Sequence, residues 1–296
     1  FSPLPYGLWL LIRLLNADFD TERRDHLRNL ACTIPPPLSD TYADELKWLR
    51  THTDPGLLTF PYEKTGAPTP VTSGFDKNIG LAYVLHNGKR LFLDTKDVNS
   101  AAHNYQHIID DEGLTGCGKR TKSPHCYTKK GFEVENGDVI LDVGCAEALI
   151  ALDNIEKVQK AYLFECDKRW IKTLQATFSP YMDKTILVQK LIGDGTRGSI
   201  TLSSAIHEGK DTPFFIKMDI EGFERFVIQA SLDFLRNHKV KLSCCVYHRQ
   251  DDDVVIGKML KDIGYRTEFS DGFMLPDING TKFPYFRHGV LYARNF

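Results

Sequence analysis

The chain has 296 residues, 42% of them hydrophobic and 11% aromatic, enough for a full core in one extended domain or two domains. Its net charge of −2 gives no general attraction to nucleic acid or to an anionic membrane, so neither is expected as a partner. Seven cysteines, an odd number at scattered positions, spell no disulfide framework; this favours a reducing compartment, and the cytoplasm is the expected location. No stretch reaches the ~18 apolar residues of a membrane span. Leu8 to Leu15 is apolar but short, is interrupted by Arg13 and lacks a basic leader, which makes it a poor signal peptide.

Residues 7–50 read as helical. Leu8, Leu11, Ile12 and Leu15 share one face, Leu27 and Leu30 form the apolar stripe of the next stretch, and Pro35-Pro36-Pro37 stops it. Ser39 or Asp40 can cap a helix over 42–49. These helices read mainly as an extension packed on the main domain, with a homodimer contact through them as the sharper alternative. Residues 51–78 are rich in proline and glycine and read as a linker. A hairpin follows: Leu81 to His86 alternates, Asn87-Gly88 turns, and Lys89 to Leu93 returns. Asn99 to Glu112 reads as a helix. His103, His107, Asp110 and Asp111 can share one of its faces, but no supporting ligand pattern follows, so a solvated face is preferred. Cys117, His125 and Cys126 have the wrong spacing for a zinc finger, and no metal is expected. The basic run from Gly118 to Lys130, with Lys119, Arg120 and Lys122, enters the first core strand. It is a candidate lid for an anionic or sugar-like acceptor.

From residue 138 onward strands and helices alternate. Strands are expected at 139–143, 161–166, 185–190, 213–219 and 241–247, and helices at about 147–158, 168–177, 199–208, 223–236 and 252–263. That alternation is the signature of a doubly wound α/β fold, a parallel sheet covered by helices on both faces. Tyr265 to Phe269 and His288 to Arg294 read as an antiparallel pair at one side of the sheet. The division expected is 1–78 for the helical extension and linker, 79–131 for the hairpin and lid-like segment, and 132–296 for the sheet domain.

The first core strand ends in Asp142-Val143-Gly144-Cys145-Ala146-Glu147-Ala148. A buried strand that turns into a helix through glycine and small residues leaves its main chain open to a ligand. A dinucleotide would require glycine at 144, 146 and 149, where the chain has Gly144, Ala146 and Leu149. S-adenosylmethionine carries no phosphate, so small residues suffice. Its ribose needs a carboxylate at the end of the next strand, and Glu165 stands there, 21 residues after Gly144. Asp142 can accept hydrogen bonds from a ligand's amine or hydroxyls. The fourth strand ends in Lys217-Met218-Asp219-Ile220-Glu221-Gly222-Phe223-Glu224. Asp219 and Glu221 there can bind an acceptor, hold the cofactor's amine or place a cation, or Glu221 can cap the next helix. His248, just past the fifth strand, is placed as a general base, with Asp219 as the other candidate.

These ordered stretches, Val139 to Gly144, Phe164 to Asp167, Ile216 to Glu224 and Val246 to Arg249, resemble FkbM-type S-adenosylmethionine-dependent methyltransferases over residues 80 to the end. The resemblance implies a seven-stranded Rossmann-like sheet and methyl transfer to a hydroxyl of a sugar, glycan or natural product. It puts Asp142 and Gly144 at the methionine end, Glu165 at the ribose, Asp194 near the adenine, and Asp219 and Glu221 by the methyl. The chain departs from the family's Gly-Ala-Asn-x-Gly turn with alanine at 146 and 148. Either the two methyl groups crowd the cofactor or Glu147 compensates by turning inward. The competing expectation is a degenerate, non-catalytic fold that acts as a binding or interaction module.

Overall fold

A computed structural model of the chain describes residues 25–51, 71–112, 123–276 and 281–296. The apolar helix expected at 8–15, the dimer contact assigned to it and the lid lysines 119 and 122 with Arg120 lie outside these residues. The described residues fall into two compact units. The first comprises 25–51 with 273–276 and 281–287, the second 71–272 with 288–296.

In the first unit helix α1 (25–31), α2 (Leu38–Thr41) and α3 (Ala43–Thr51) enclose a small core of Ala31, Ile34, Leu46 and Leu49, in which Tyr42 stacks on Phe286. Buried Glu45 accepts the Phe273 N–H at 2.9 Å, so the returning segment 273–287 belongs to this unit.

The second unit holds two sheets. The expected hairpin forms as β2 (Leu81–His86) and β3 (Lys89–Leu93), turned at Asn87 and Gly88, both with positive φ. It gains a third strand, β1 (Ser73–Asp76), which pairs antiparallel with β2 inside the stretch expected to be linker. Four residues, Ser-Gly-Phe-Asp, were too short to show an alternation. Ala82, Val84, Leu91 and Leu93 pack with Ala101, Tyr105 and Ile109 of α4 (Val98–Glu112) on one face of the large sheet, in the same core as Ile140, Ala161, Leu163 and Phe215. The hairpin and the large sheet thus share one core.

The large sheet has seven strands: β4 (Val139–Val143), β5 (Lys160–Phe164), β6 (Thr185–Val188), β7 (Pro213–Met218), β8 (Lys239–Cys245), β9 (Arg266–Phe269) and β10 (Val290–Arg294). They are ordered β6-β5-β4-β7-β8-β10-β9, and the first five are parallel. Strands β9 and β10 run antiparallel at one edge, as the sequence of the tail suggested. The pleat splits each apolar run between two cores: Val139, Leu141 and Val143 go to one face and Ile140 to the other, with Phe214, Ile216 and Met218 opposed to Phe215 in the same way. Helices α5 (Leu149–Asn154), α6 (Lys168–Phe178), α7 (Leu202–Ala205), α8 (Glu224–Ala230), α9 (Leu232–Asn237) and α10 (Asp252–Asp262) connect or follow the strands. Two expected helices come out shorter or divided. The one at 199–208 is a four-residue turn held by a reciprocal Thr201–Ser204 cap. The one at 223–236 breaks at Ser231, whose ψ of 9° leaves the helical range. No helix among the described residues is long and apolar enough to cross a membrane.

Candidate functional site

The winding reverses between β4 and β7: β5 and β6 lie to one side, β8 to the other. Loops leaving the carboxyl ends of strands part at such a point and leave a crevice. A cleft of about 550 Å³ occupies it, walled by the turn 144–148, Glu165 to Asp167, Trp170, Leu191 and the segment Lys217 to Phe223. That volume lies within the range of small-molecule sites. Asp142, Gly144, Glu147, Glu165, Asp219 and Glu221 all line this cleft.

The turn after β4 explains its own sequence. Gly144 has φ of 71°, and a Cβ there would stand 2.0 Å from the Asp219 carbonyl oxygen. Only glycine lets the β4 and β7 loops meet this closely. Ala146 and Ala148 also have positive φ, 45° and 57°. Asparagine and glycine are the residues that tolerate this backbone; alanine costs roughly 1–2 kcal/mol at each position. The alanines keep the turn's shape at the expense of strain, and the cleft stays open above them.

Three acids mark three neighbouring strand tips. Asp142 is buried, and its Oδ1 has no hydrogen-bond partner; Lys217, directly opposite in the β4–β7 register, holds its Nζ 3.5 Å away. Burial pushes the Asp142 carboxyl up to about 6 against the pull of Lys217. The Lys217 ammonium instead donates to the Gly144 carbonyl at 2.5 Å. Glu165 is held from both sides: its Oε2 accepts the Ala146 N–H at 3.1 Å and its Oε1 the Asp167 N–H at 2.8 Å. One carboxylate thus pins the turn after β4 to the turn after β5. Glu147 is half-buried, and desolvation raises its pKa.

Asp219 is the crowded member. Its Oδ2 accepts from the Tyr127 hydroxyl at 2.7 Å and lies 3.5 Å from His125 Nε2, while its Oδ1 lies 3.5 Å from His248 Nε2. Burial would raise its pKa, but His125, Lys217 and His248 outweigh burial and hold it well below the usual carboxylate range. Behind it, His248 Nδ1 lies 2.9 Å from Glu224 Oε1, close for an ion pair but out of line for a regular hydrogen bond. Burial would lower the His248 pKa; Glu224, Asp219 and Glu221 reverse that and raise it.

Two placements differ from the sequence reading. His248 is buried and is not part of the cleft wall; it reaches the cleft through Asp219. Asp194 does not line the cleft either. Its Oδ1 accepts from the Thr196 N–H and hydroxyl, closing its own turn. Nor does Glu221 cap α8. No side chain caps α8; Glu224, its first residue, instead accepts the Ile220 N–H at 2.9 Å and ties down the loop before the helix, and the Glu221 side chain is 91% exposed at positive φ.

The sequence reading gave no site role to Tyr127, Lys217 or Glu224, and took His125 only as a discounted zinc ligand and as part of the candidate lid. For Lys217 a signal existed: a lysine inside the apolar run Phe214 to Met218 of a central strand needs a buried acid, and the strand beside it offers Asp142. For His125 and Tyr127 there was none. Both came from the basic stretch read as a lid, and the described part of it, from residue 123, is instead packed inward against Asp219 and Cys245.

No family model and no curated protein matches the chain. Among solved structures it is similar to an FkbM methyltransferase from Methylobacillus flagellatus, at 22% identity and a TM-score of 0.46 over 57% of this chain. The match spans 47% of that protein, about half its length. It is also similar to a precorrin-6y C5,15-methyltransferase from Geobacter metallireducens, at 15% identity and a TM-score of 0.39 over 56% of this chain and 83% of that one. An rRNA methylase from Streptococcus thermophilus shares 10% identity at a TM-score of 0.34, over 55% of this chain and 88% of that one. The seven-stranded, mostly parallel Rossmann-like sheet itself follows from the strand order and register described above.

Proposed function

We propose that the chain is an S-adenosylmethionine-dependent methyltransferase of FkbM type, acting on a hydroxyl of a sugar, glycan or natural product. One observation carries the reading: acids from three adjacent strand tips, Asp142, Glu165 and Asp219, converge on one cleft at the point where the winding reverses.

The residues fit this cofactor. The turn brings bare main chain to the cleft at Gly144 without the triple glycine a pyrophosphate needs. Asp142 presents a buried oxygen that lacks a donor, which suits the cofactor's ammonium. Glu165, already oriented by two N–H groups, keeps lone pairs for the ribose hydroxyls. Trp170 and Leu191 give apolar wall on the side where a base would lie. An open cleft beside Ala146 and Ala148 supports this reading over the degenerate, non-catalytic module.

When bound, S-adenosylmethionine supplies a methyl group already activated by its sulfonium. What remains for the protein is alignment, worth ~7–11 kcal/mol, and removal of the acceptor's proton. Asp219 lines the cleft and is held ionised, so it can accept the hydrogen bond of an incoming hydroxyl and orient its oxygen toward the methyl; with its pKa held so low it is a weak base, and the proton passes on to water as attack proceeds. His248, favoured in its charged form, is poorly suited to be the resting base. It anchors Asp219 from behind and is a positioning residue. Transfer of labelled methyl to a panel of polyhydroxylated acceptors tests the reading. Asp219→Asn should lower turnover by ~10²–10⁴-fold with cofactor affinity nearly kept. Full turnover by that variant, or no transfer to any acceptor by a protein that binds the cofactor, would contradict it.

A further inference from the structure

We infer that Asp219, His248 and Glu224 form a binding site for one divalent cation just behind the cleft, which it reaches through Asp219. An oxygen of each acid and a ring nitrogen of the histidine lie within 4.8 Å of one another. Ligand atoms on a shared ion with bonds of ~2.0–2.2 Å stand at most ~4.4 Å apart, so closure asks for a few tenths of an ångström. The three residues come from three segments, the ends of β7 and β8 and the first turn of α8.

A second observation points to a cation. Glu224 is fully buried; its Oε1 accepts the Ile220 N–H and lies 2.9 Å from His248 Nδ1, yet its Oε2 has no hydrogen-bond partner. A buried carboxylate oxygen without a donor is costly unless a cation compensates it. Glu221 adds a third carboxylate, its Oε2 3.6 Å from His248 Nε2, on a side chain exposed enough to swing onto the ion. A proton on His248 offsets one of these three negative charges; a divalent ion offsets two. The opposite oxygen of Asp219 already accepts from Tyr127, which leaves Oδ1 to the ion. Two carboxylates and one imidazole suit Mn²⁺ or Mg²⁺ better than a thiolate-seeking metal.

Because Asp219 and Glu221 also line the cleft, an ion here can take an acceptor oxygen as a further ligand and ease its deprotonation. That role rests on the methyl-transfer reading; the binding itself does not.

The test titrates Mn²⁺ into the EDTA-stripped full chain and follows free Mn²⁺ by electron paramagnetic resonance. One ion per chain is expected, with affinity ~10–100-fold lower in Glu224→Gln and His248→Gln. Glu165→Gln should keep Mn²⁺ affinity and lose S-adenosylmethionine binding, so failure of the ion site and failure of the cofactor site are told apart. Should the buried variants unfold, echo-modulation spectra of the Mn²⁺-loaded wild type decide the matter: ¹⁴N coupling from an imidazole is expected. No retained ion, affinity unchanged in both folded variants, or a bound ion without nitrogen coupling would overturn the site.

Discussion

Asp142 and Asp219 occupy equivalent places, the carboxyl ends of neighbouring parallel strands, yet their surroundings push them in opposite directions. Asp142 is desolvated with one distant lysine, and its pKa is raised to about 6. Asp219 is less enclosed, its side chain 18% exposed against 1% for Asp142, and His125, Lys217 and His248 together outweigh its desolvation, so its pKa falls. Desolvation acts on both; the number of cationic neighbours decides the sign. The first acid is incomplete without a cationic ligand, and the second is a permanently ionised acceptor. The cleft thus has a side that waits for the cofactor's charge and a side prepared to hold the acceptor's hydroxyl by a hydrogen bond.

Breaking the Asp219 side should have the largest effect, the ~10²–10⁴-fold loss of turnover already given for Asp219→Asn. The junction between the two sides comes next. Gly144→Ala places a methyl against the Asp219 carbonyl and Ile220 Cγ2, so the β4 and β7 loops must separate. A loss of about 1–3 kcal/mol of stability is expected, with S-adenosylmethionine binding abolished, measured by thermal melts and calorimetry. A variant with wild-type melting and affinity would show that the loops are not tightly joined.

The Asp142 side can be sharpened by pH. The carboxyl's folded pKa lies above its ordinary value of 3.8, so the folded protein keeps this proton while the unfolded chain has lost it. Stability of the ligand-free protein from this group is therefore greatest below pH 4, falls as pH rises through 4 to 6, and is level above. The penalty at neutral pH is about 3 kcal/mol. Asp142→Asn should raise stability above pH 6 by up to that amount, with no gain near pH 4, and should weaken cofactor binding. For the wild type, cofactor affinity should fall up to about tenfold per pH unit below pH 6. A flat profile from pH 4.5 to 7.5 would mean that Asp142 does not meet the ligand's charge. The smallest effect belongs to the strained turn. Ala148→Gly relieves a positive φ and should stabilise the folded chain by no more than about 1 kcal/mol, since glycine also loses more backbone entropy on folding.

The comparison also shows what the sequence could reveal. The central strands were legible to within two residues at each end, because a run such as Val139 to Val143, closed by glycine, has few other readings. The acids at 142, 165 and 219 were legible because a strand tip is a defined place. Asp194 was not, because its loop folds on itself through Thr196 and Ser199. His248 stands at the expected end of the sheet, but that it meets Asp219 rather than the cleft itself is a matter of side-chain direction that no spacing encodes. The segment holding His125 and Tyr127 reads as a polar loop and becomes a plug only through contacts about 90 and 120 residues away, with Asp219 and Cys245. A cation site was sought among ligands near one another in sequence; the group at Asp219, Glu224 and His248 exists only once β7 and β8 are paired.

The central claim is that carboxylates at adjacent strand tips hold a sulfonium nucleoside. Calorimetry on the full chain with S-adenosylmethionine, S-adenosylhomocysteine and NAD, repeated with Glu165→Gln, tests it most directly. One molecule of either adenosyl compound bound per chain, greatly weakened in the variant, with no heat from NAD, is the predicted result. No binding of either compound, or equal binding by the variant, would contradict it.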